Sequence, residues 1–232
     1  MKGFLLDIDY ETRNNKAVLK LFLKGEESNF IATDDSFLPY FYVLPSGFRE
    51  EAGEKCHLPD GREIEALIRR IREAGEGKIK DVLLEDKKFF GRDLKALKVV
   101  LEHPQDVPRL REIIKNIEGV DMVLEHDILF VRRYLIDRDI APLSWIEVEG
   151  EKISPAEGKF PELKVLAFDT EVYNPKGAPR EKVDPIIMIS LASNTGLRKV
   201  LTWKKPERNI DFVEVLENEK AILKRFEEIM RQ

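Results

Sequence analysis

The sequence predicts an α/β (α+β) protein with two domains, and three observations support this class. Extended and helical segments from Tyr40 to Leu124 follow the order β-α-β-β-α-β, which is the ferredoxin-like arrangement. From Leu163 onward, a run of strands followed by one helix indicates a second sheet. Of the 232 residues, 43% are hydrophobic, so the chain can bury a sizeable core. The first domain is therefore expected to be β-rich with a ferredoxin-like module, and the second to be a smaller α/β sheet.

The first domain opens with a predicted hairpin. Residues 3–10 and 17–23 are apolar or alternating, and the polar stretch TRNNK between them supplies turn residues. A third strand is predicted over 39–44, and the polar residues 45–59 predict a loop.

The first helix is expected to begin at Asp60, because Glu63 follows three residues later and completes a capping box. Gly75 and Gly77 can end this helix. Two strands are then predicted over 79–84 and 94–101. Apolar residues at helical spacing predict the buried stripe of the helix: Ile64, Leu67, Ile68 and Ile71.

The second helix is expected to be capped by Asp106, with Pro108 in its first turn and Gly119 at its end. A strand over 120–124 follows. Further on, Ile128 and Phe130 alternate as on one side of a strand. The stripe expected for the second helix consists of Val107, Leu110, Ile114 and Ile117.

Turn formers and charged residues between Asp137 and Gly158 indicate a joint, so we predict domains over 1–137 and 138–232. In the second domain, KVLAFDTEV, IIMISLAS, RKVLTW and FVEVL read as strands. A final helix follows them, with apolar residues from Ile222 to Met230 on one side.

The composition excludes several classes of protein. The chain has 39 Lys and Arg against 44 Asp and Glu, a net charge of -5 that excludes a histone-like protein but allows a local DNA-binding groove. With Cys56 as its one cysteine and only His57 beside it, neither a disulfide framework nor a cysteine zinc cluster is possible. Without a signal peptide or a long apolar run, we expect a soluble, globular, cytoplasmic protein with no membrane partner.

The sequence Phe168-Asp169-Thr170-Glu171 is the most suggestive chemical feature. On a strand, Asp169 and Glu171 point to the same face, with Cα atoms roughly 6.6 Å apart. Such a carboxylate pair can bind Mg²⁺ or Mn²⁺ and belongs in two-metal hydrolysis of phosphodiesters. D-x-E on a strand is also a common solvated edge. The apolar VLAF before it favours the metal interpretation, because a buried carboxylate pair without a metal is costly.

A second, more diffuse group of residues suggests a slot for a base. Val107 and Arg111 share a helix face, and Arg132 and Arg133 follow the apolar Phe130. An apolar slot edged by arginine suits single-stranded nucleic acid. Taken alone, these spacings are more typical of an ordinary core. The sequence contains no Gly-rich nucleotide loop, and His103 and His126 have no ligand partner at metal spacing.

Several of these stretches together resemble archaeal family B DNA polymerases. The similarity runs from Leu5 to about Arg231, through LDIDYETRNNKAVLKLF, FLPYFYVL, LEHPQDVPRLREII, EHDILFVRRYLID, KVLAFDTEV and PIIMIS in this order. HPQDVP and RRYLID are specific in combination, whereas FDTE alone is not. Residues 45–78 carry little of the resemblance.

The resemblance implies an amino-terminal domain followed by part of a 3′–5′ exonuclease domain of ribonuclease-H-like fold. FDTE resembles the first exonuclease motif, so Asp169 and Glu171 would be two of its four metal-binding and catalytic acids, holding Mg²⁺ or Mn²⁺. The motifs N-x-x-x-F-D, Y-x-x-x-D and D-x-x-S-L-Y-P are missing. The chain is thus expected to be an amino-terminal piece of a nucleoid-associated polymerase, inactive alone.

The family also reads template strands for uracil ahead of synthesis, in an amino-terminal pocket. The implied partners are single-stranded and primer-template DNA, with dNTPs and a sliding clamp bound by downstream domains. Tyr40 and Ile128 are expected to exclude the thymine methyl, and Arg111 and Arg133 to attract phosphate. The matching positions are Tyr10, Pro39, Tyr40, Val107, Arg111, Val123, Ile128, Phe130 and Arg133.

Two other functions stay open on the sequence. A free-standing module that binds uracil in single-stranded DNA without catalysis would be favoured by a natural stop codon after Gln232. A standalone nuclease is disfavoured, because a two-metal site generally needs more than two carboxylates.

Overall fold

The computed structural model describes residues 1–47, 60–150, 152–175 and 177–231, with only the backbone of Arg92. Most of the predicted loop over 45–59, including Cys56 and His57, lies outside the described residues. The chain forms two compact units, Met1–Phe160 and Pro161–Gln232. None of the described helices is both long enough and apolar enough to cross a membrane.

The described part of the first unit contains two sheets and three α-helices. In chain order its elements are β1 (Lys2–Arg13), β2 (Lys16–Lys24), β3 (Asn29–Asp34), β4 (Tyr40–Pro45), α1 (Gly61–Ala74), β5 (Ile79–Phe89), β6 (Arg92–Leu101), a 3-10 turn (Pro104–Asp106), α2 (Val107–Ile114), β7 (Val120–Leu124), α3 (Phe130–Asp137), β8 (Trp145–Glu149) and β9 (Lys152–Ala156).

The first sheet has the strand order β3-β2-β1-β8-β9. The predicted hairpin of β1 and β2 is confirmed, and it turns through Asn14 and Asn15, which both have positive φ. Asparagine tolerates this left-handed region better than most residues. One face of the sheet packs on α3, where Tyr134 is fully buried against Leu19 and Leu21.

The second sheet has the order β5-β6-β4-β7, with every neighbouring pair antiparallel. Numbered within the module, this is strand order 2-3-1-4, so the predicted ferredoxin-like arrangement is confirmed. Helices α1 and α2 cover one face, burying Leu67 and Ile71 from α1 with Leu110 and Ile114 from α2.

The helix starts were predicted with mixed success. Asp60 and Glu63 form the expected capping box at α1. Asp106 makes no side-chain cap at α2, because the 3-10 turn comes first and His103 caps that turn by accepting from the Gln105 amide. Loop prolines suit such a turn, since Pro104 occupies a position where an amide hydrogen is not needed.

The largest correction concerns residues 130–137. The alternation of Ile128 and Phe130 predicted a strand, but Phe130 begins α3, and Ile128 lies in the loop before it. The helix buries Phe130, Arg133 and Tyr134, which have helical spacing. Tertiary packing onto the first sheet therefore decides the conformation of this short segment.

The compact first unit extends beyond residue 137. Strand β8 pairs with β1, with Gly3 opposite Ile146, and β9 pairs with β8. The region predicted as a joint thus contributes two strands to the first sheet. The functional domain limits 1–137 and 138–232 stay a prediction.

The second unit is one sheet with one described helix. Its elements are β10 (Leu166–Val172), β11 (Ile186–Ser193), β12 (Arg198–Thr202), β13 (Val213–Val215) and α4 (Glu219–Met230), in sheet order β10-β11-β12-β13. Helix α4 packs on one face, where Ile222 and Ile229 meet Ile189, Leu191 and Leu201. The predicted order of elements is confirmed here.

Candidate functional site

A cavity of about 360 Å³ lies in the first unit where the first sheet, the ferredoxin-like module and α3 meet. It is lined mainly by apolar and aromatic side chains, with a few polar groups. This composition is typical of a small-molecule or nucleobase site. The lining residues are Asp9, Tyr10, Pro39, Tyr40, Pro104, Val107, Pro108, His126, Asp127, Ile128, Leu129, Phe130, Val131 and Arg133.

The cavity brings together most of the residues that the sequence singled out. Tyr10 comes from β1, and Val107 from the start of α2. Tyr40 is the first residue of β4, and Pro39 directly precedes it. Of the predicted positions, only Arg111 and Val123 are outside the lining. Val123 instead pairs with Val43 inside the module's sheet and packs on its core.

One wall of the cavity is an aromatic cluster. The Tyr10 and Phe130 rings meet edge to face, with centroids 5.3 Å apart. The Phe37 ring packs against the Phe130 ring, with centroids 5.6 Å apart. Because Phe130 is also part of the first sheet's core, this wall is held by the packing of the whole domain.

Three neighbouring side chains contact Tyr40: Asp137, Arg133 and Lys98. Its hydroxyl donates to the Asp137 carboxylate, and burial together with this bond raises the pKa of Tyr40 well above its ordinary value. The Arg133 guanidinium lies 4.6 Å from the ring centroid, and the Lys98 ammonium lies 3.9 Å from it. The ring is therefore a fixed, neutral element of the cavity wall.

The Arg133 side chain is buried and forms an ion pair with Glu125. Its side chain is only 7% exposed, and Nη1 donates to Glu125 Oε2 across 2.6 Å. Nη2 donates to the Glu125 carbonyl, which fixes the backbone at a residue with positive φ. The charge of Arg133 is thus paired with Glu125 and largely buried, and the attraction of phosphate expected of it stays a prediction.

Arg111 reaches the cavity only through a neighbour. Its Nη1 lies 3.0 Å from Nδ1 of His126, and His126 lines the cavity. Sequence reasoning set His126 aside because it has no carboxylate or cysteine at ligand spacing. Its position could have indicated that it belongs to the site, because it lies two residues before Ile128 in the same loop.

The second candidate site is on β10. Asp169 and Glu171 lie on the same face of the strand, opposite Ser190 and Met188 of β11. Phe168 points the other way and packs on Phe226 of α4, with ring centroids 5.1 Å apart. The carboxylates therefore occupy the face of the sheet away from α4.

The apolar surroundings expected for this pair are not found. Both carboxylates are exposed, and β10 is an edge strand of its sheet. Exposed carboxylate oxygens are suitable donors for Mg²⁺ or Mn²⁺. Within the described part of the chain, however, no group of three or more His, Cys, Asp or Glu could hold a metal ion, so the pair supplies only part of a ligand set.

Known proteins are similar to this chain in sequence. Residues 122–232 match the family model described as DNA polymerase family B, exonuclease domain. A DNA polymerase from Pyrococcus glycovorans is 36% identical over 98% of this chain and 26% of its own length. One from Archaeoglobus fulgidus is 35% identical over 94% of this chain and 27% of its own length.

A solved structure is similar as well. It is the family B DNA polymerase from the hyperthermophilic archaeon Pyrobaculum calidifontis, with a TM-score of 0.68 and 27% identity over 100% of this chain and 29% of that one. The chain thus spans a little over a quarter of the length of these relatives. The matches over nearly all of its residues show that the chain belongs to the archaeal family B DNA polymerases and corresponds to their amino-terminal and exonuclease region.

Proposed function

We propose that this chain is the template-reading and proofreading region of a DNA-directed DNA polymerase, and that its cavity binds uracil in the single-stranded template. The observation that carries the proposal is the cavity itself, where Tyr10, Tyr40, Val107, Ile128 and Phe130 converge from distant parts of the chain. The resemblance to archaeal family B DNA polymerases implies the same positions for template binding.

The cavity has properties that a uracil reader needs. Its apolar lining can take a flat pyrimidine, and the fixed Tyr40 ring gives it a rigid side. Uracil and thymine differ by one methyl group, so a reader must discriminate by shape. Rigid packing of Tyr40 and Ile128 would exclude that methyl, whereas a soft wall would yield to it.

The second unit would contribute to proofreading. Asp169 and Glu171 would hold a divalent metal, which when bound supplies charge stabilisation for phosphodiester hydrolysis. Their own role is to present hard oxygen donors from one rigid strand. The remaining ligands would come from outside the described residues.

Further partners follow from the same proposal. Primer-template DNA would contact both units, and dNTPs and a sliding clamp would bind regions that the relatives carry beyond this one. A free-standing uracil-binding module is not favoured, because the match to DNA polymerases continues through the exonuclease region.

The proposal is tested by fluorescence anisotropy on matched single-stranded oligonucleotides that contain one uracil or one thymine. We expect tighter binding of the uracil strand, by about 1–3 kcal/mol, since one methyl group is the sole difference. Val107→Gln should place a longer, polar side chain in the cavity and remove the preference.

Val183→Gln is the matched control, because Val183 is 61% exposed and lies in the other unit. It should bind like the unmodified chain. Equal affinities of the unmodified chain for uracil and thymine strands would refute the cavity assignment, as would a Val107→Gln variant that keeps the preference.

A further inference from the structure

The hairpin of β5 and β6 extends beyond the rest of the sheet in the ferredoxin-like module. Strand β4 pairs with β6 only as far as Leu97. Strands β5 and β6 continue to pair for five more positions, up to Phe89 opposite Arg92. Among the described residues, no third strand pairs with this part of the hairpin. At about 3.3 Å per residue, residues 85–96 thus form a two-stranded arm roughly 15 Å long.

The tip of the arm is a two-residue turn that contains an unfavourable residue. Phe90 and Gly91 connect the two strands, and both have positive φ, of 47° and 81°. Positive φ at both central residues is the pattern of a type I′ turn, for which Asn-Gly is the preferred sequence. The left-handed backbone is costly for a bulky side chain such as phenylalanine. Local stability therefore disfavours Phe90 at this position.

Phe90 is also the most exposed of the large hydrophobic side chains that the structure describes, at 91%. Its ring meets the half-buried Phe89 ring edge to face, with centroids 4.6 Å apart. Phe90 belongs to none of the described core clusters. A residue that strains the backbone and buries so little of itself contributes little to folding, which indicates a role in binding.

The side chains beside the tip are charged rather than apolar. Lys88 and Asp93 are exposed, and Lys95 donates to Asp86 across 2.8 Å. Residues 86–95 carry four lysines or arginines against two carboxylates, although the whole chain has a net charge of -5. The cores of protein–protein interfaces are poor in lysine and aspartate, so one ring among these charges does not suit a protein partner. The local excess of positive charge favours a polyanion.

Single-stranded DNA has both features that the tip complements. Its bases present flat π faces, on which an aromatic side chain stacks whatever the sequence, and its phosphates attract cations. In a duplex, neighbouring base pairs cover those faces. Because the chain belongs to a family of DNA polymerases, DNA is the polyanion that this tip would meet.

We propose that the arm is a second contact for single-stranded DNA, in which Phe90 stacks on an unpaired base and Lys88 attracts an adjoining phosphate. The arm contributes no residue to the lining of the cavity, and stacking on a base requires no uracil. The inference therefore goes beyond the proposed uracil site, and either one can fail without the other.

The test measures anisotropy with a labelled single strand that lacks uracil and with an abasic strand of the same length. Phe90→Asn removes the ring and gives the turn its preferred sequence. We expect it to lower affinity for the strand with bases about tenfold and to leave affinity for the abasic strand unchanged. Phe160→Asn is the matched control, since Phe160 is 68% exposed in the same unit, and it should bind like the unmodified chain. Full affinity of Phe90→Asn for the strand with bases would overturn the proposal.

Thermal unfolding of the same variant separates a role in binding from a role in folding. Phe90→Asn should raise the melting temperature by a few degrees, because asparagine accepts positive φ more readily than phenylalanine. Lower affinity together with higher stability would support the proposal. A lower melting temperature, with equal loss of affinity for both strands, would assign the ring to packing of the hairpin and overturn it.

Stacking itself has a spectroscopic readout. Phe90→Trp keeps a flat ring at the tip, should retain the affinity, and should lose fluorescence when the strand with bases binds but not when the abasic strand binds. The unmodified chain, whose two tryptophans are Trp145 and Trp203, supplies the baseline. Equal emission changes with both strands would contradict stacking.

The charge at the tip is tested by salt dependence. Lys88→Gln should weaken binding of both strands and reduce the slope of log affinity against log salt by about 0.7, the value for one phosphate contact on a single strand. An unchanged slope would remove Lys88 from the contact.

Discussion

The hydroxyl of Tyr40 is shared between both carboxylate oxygens of Asp137, at 2.8 Å to Oδ1 and 2.7 Å to Oδ2. Tyr40 is the first residue of β4, and Asp137 is the last residue of α3. The bond therefore ties the ferredoxin-like module to the helix that packs on the other sheet. Tyr40 lines the cavity and Asp137 does not, so the bond supports the cavity wall without adding a carboxylate to its lining.

Tyr40→Phe should weaken this tie and leave the aromatic wall in place. We expect the free energy of unfolding to fall by about 1 kcal/mol, the usual net value of one hydrogen bond. The preference for uracil over thymine should also decrease, because the ring is less firmly held. Denaturant unfolding and oligonucleotide anisotropy measure the two effects. Tyr173→Phe is the control, since Tyr173 is 60% exposed, and an equal effect there would contradict the assignment.

Glu125→Ala should destabilise the chain by roughly 2 kcal/mol, because it leaves the buried Arg133 cation without its partner. The exposed part of Glu125 keeps this value below that of a fully buried pair. Glu118→Ala is the matched control, since the Glu118 side chain is 96% exposed. Thermal unfolding of both variants provides the comparison. Equal stabilities would show that the pairing of Arg133 is energetically unimportant.

Asp34 should make stability depend on pH. Burial alone would raise the pKa of its carboxyl, but hydrogen bonds from Ser36 and Tyr134 and the charge of Arg138 outweigh it and lower the pKa below its ordinary 3.8. The stabilisation is therefore fully present at neutral pH and is lost as pH falls below 3.8 through the lowered pKa.

Asp34→Asn removes the charge that receives these bonds. It should lower stability by about 2 kcal/mol near neutral pH, because hydrogen bonds to a charged acceptor are lost. The difference between variant and unmodified chain should shrink in acid. Denaturant unfolding from about pH 7 to about pH 3 tests this prediction. A constant difference across that range would show that Asp34 does not titrate as inferred.

The chain of 232 residues should lack exonuclease activity by itself, although Asp169 and Glu171 are present. Two exposed carboxylates are too few to position both metals and the attacking water. Labelled single-stranded DNA with Mg²⁺ or Mn²⁺ should remain intact. Degradation from the 3′ end that disappears in Asp169→Ala, but persists in the exposed control Asp211→Ala, would contradict this expectation.

Local signals in the sequence were reliable where a few neighbouring residues decide the structure. The capping box of Asp60 and Glu63 needs only four residues in a row, and it formed as expected. The turn through Asn14 and Asn15 is equally local. By contrast, β8 looked like linker sequence, because its pairing with β1 joins residues more than a hundred positions apart.

The proximity of the candidate site residues could be predicted from the sequence, but their contacts could not. Resemblance selected half of the residues that line the cavity, yet periodicity placed Phe130 on a strand rather than at the start of α3. The phosphate role predicted for the two arginines stays a prediction. Arg111 and Arg133 look like phosphate ligands in sequence, but their partners His126 and Glu125 lie across a loop whose path only tertiary structure fixes.

The ferredoxin-like module enters and leaves the rest of the first unit through neighbouring strands, since Tyr42 of β4 pairs with Leu124 of β7. It is therefore an insertion with adjacent ends, and a short linker from β3 to α3 could replace it. The host sheet would keep β1 in its centre. The cavity would vanish, because Tyr10 and Phe130 belong to the host whereas Tyr40 and Val107 belong to the insert. The cavity in this architecture is thus a property of the joint between the host sheet and the inserted module.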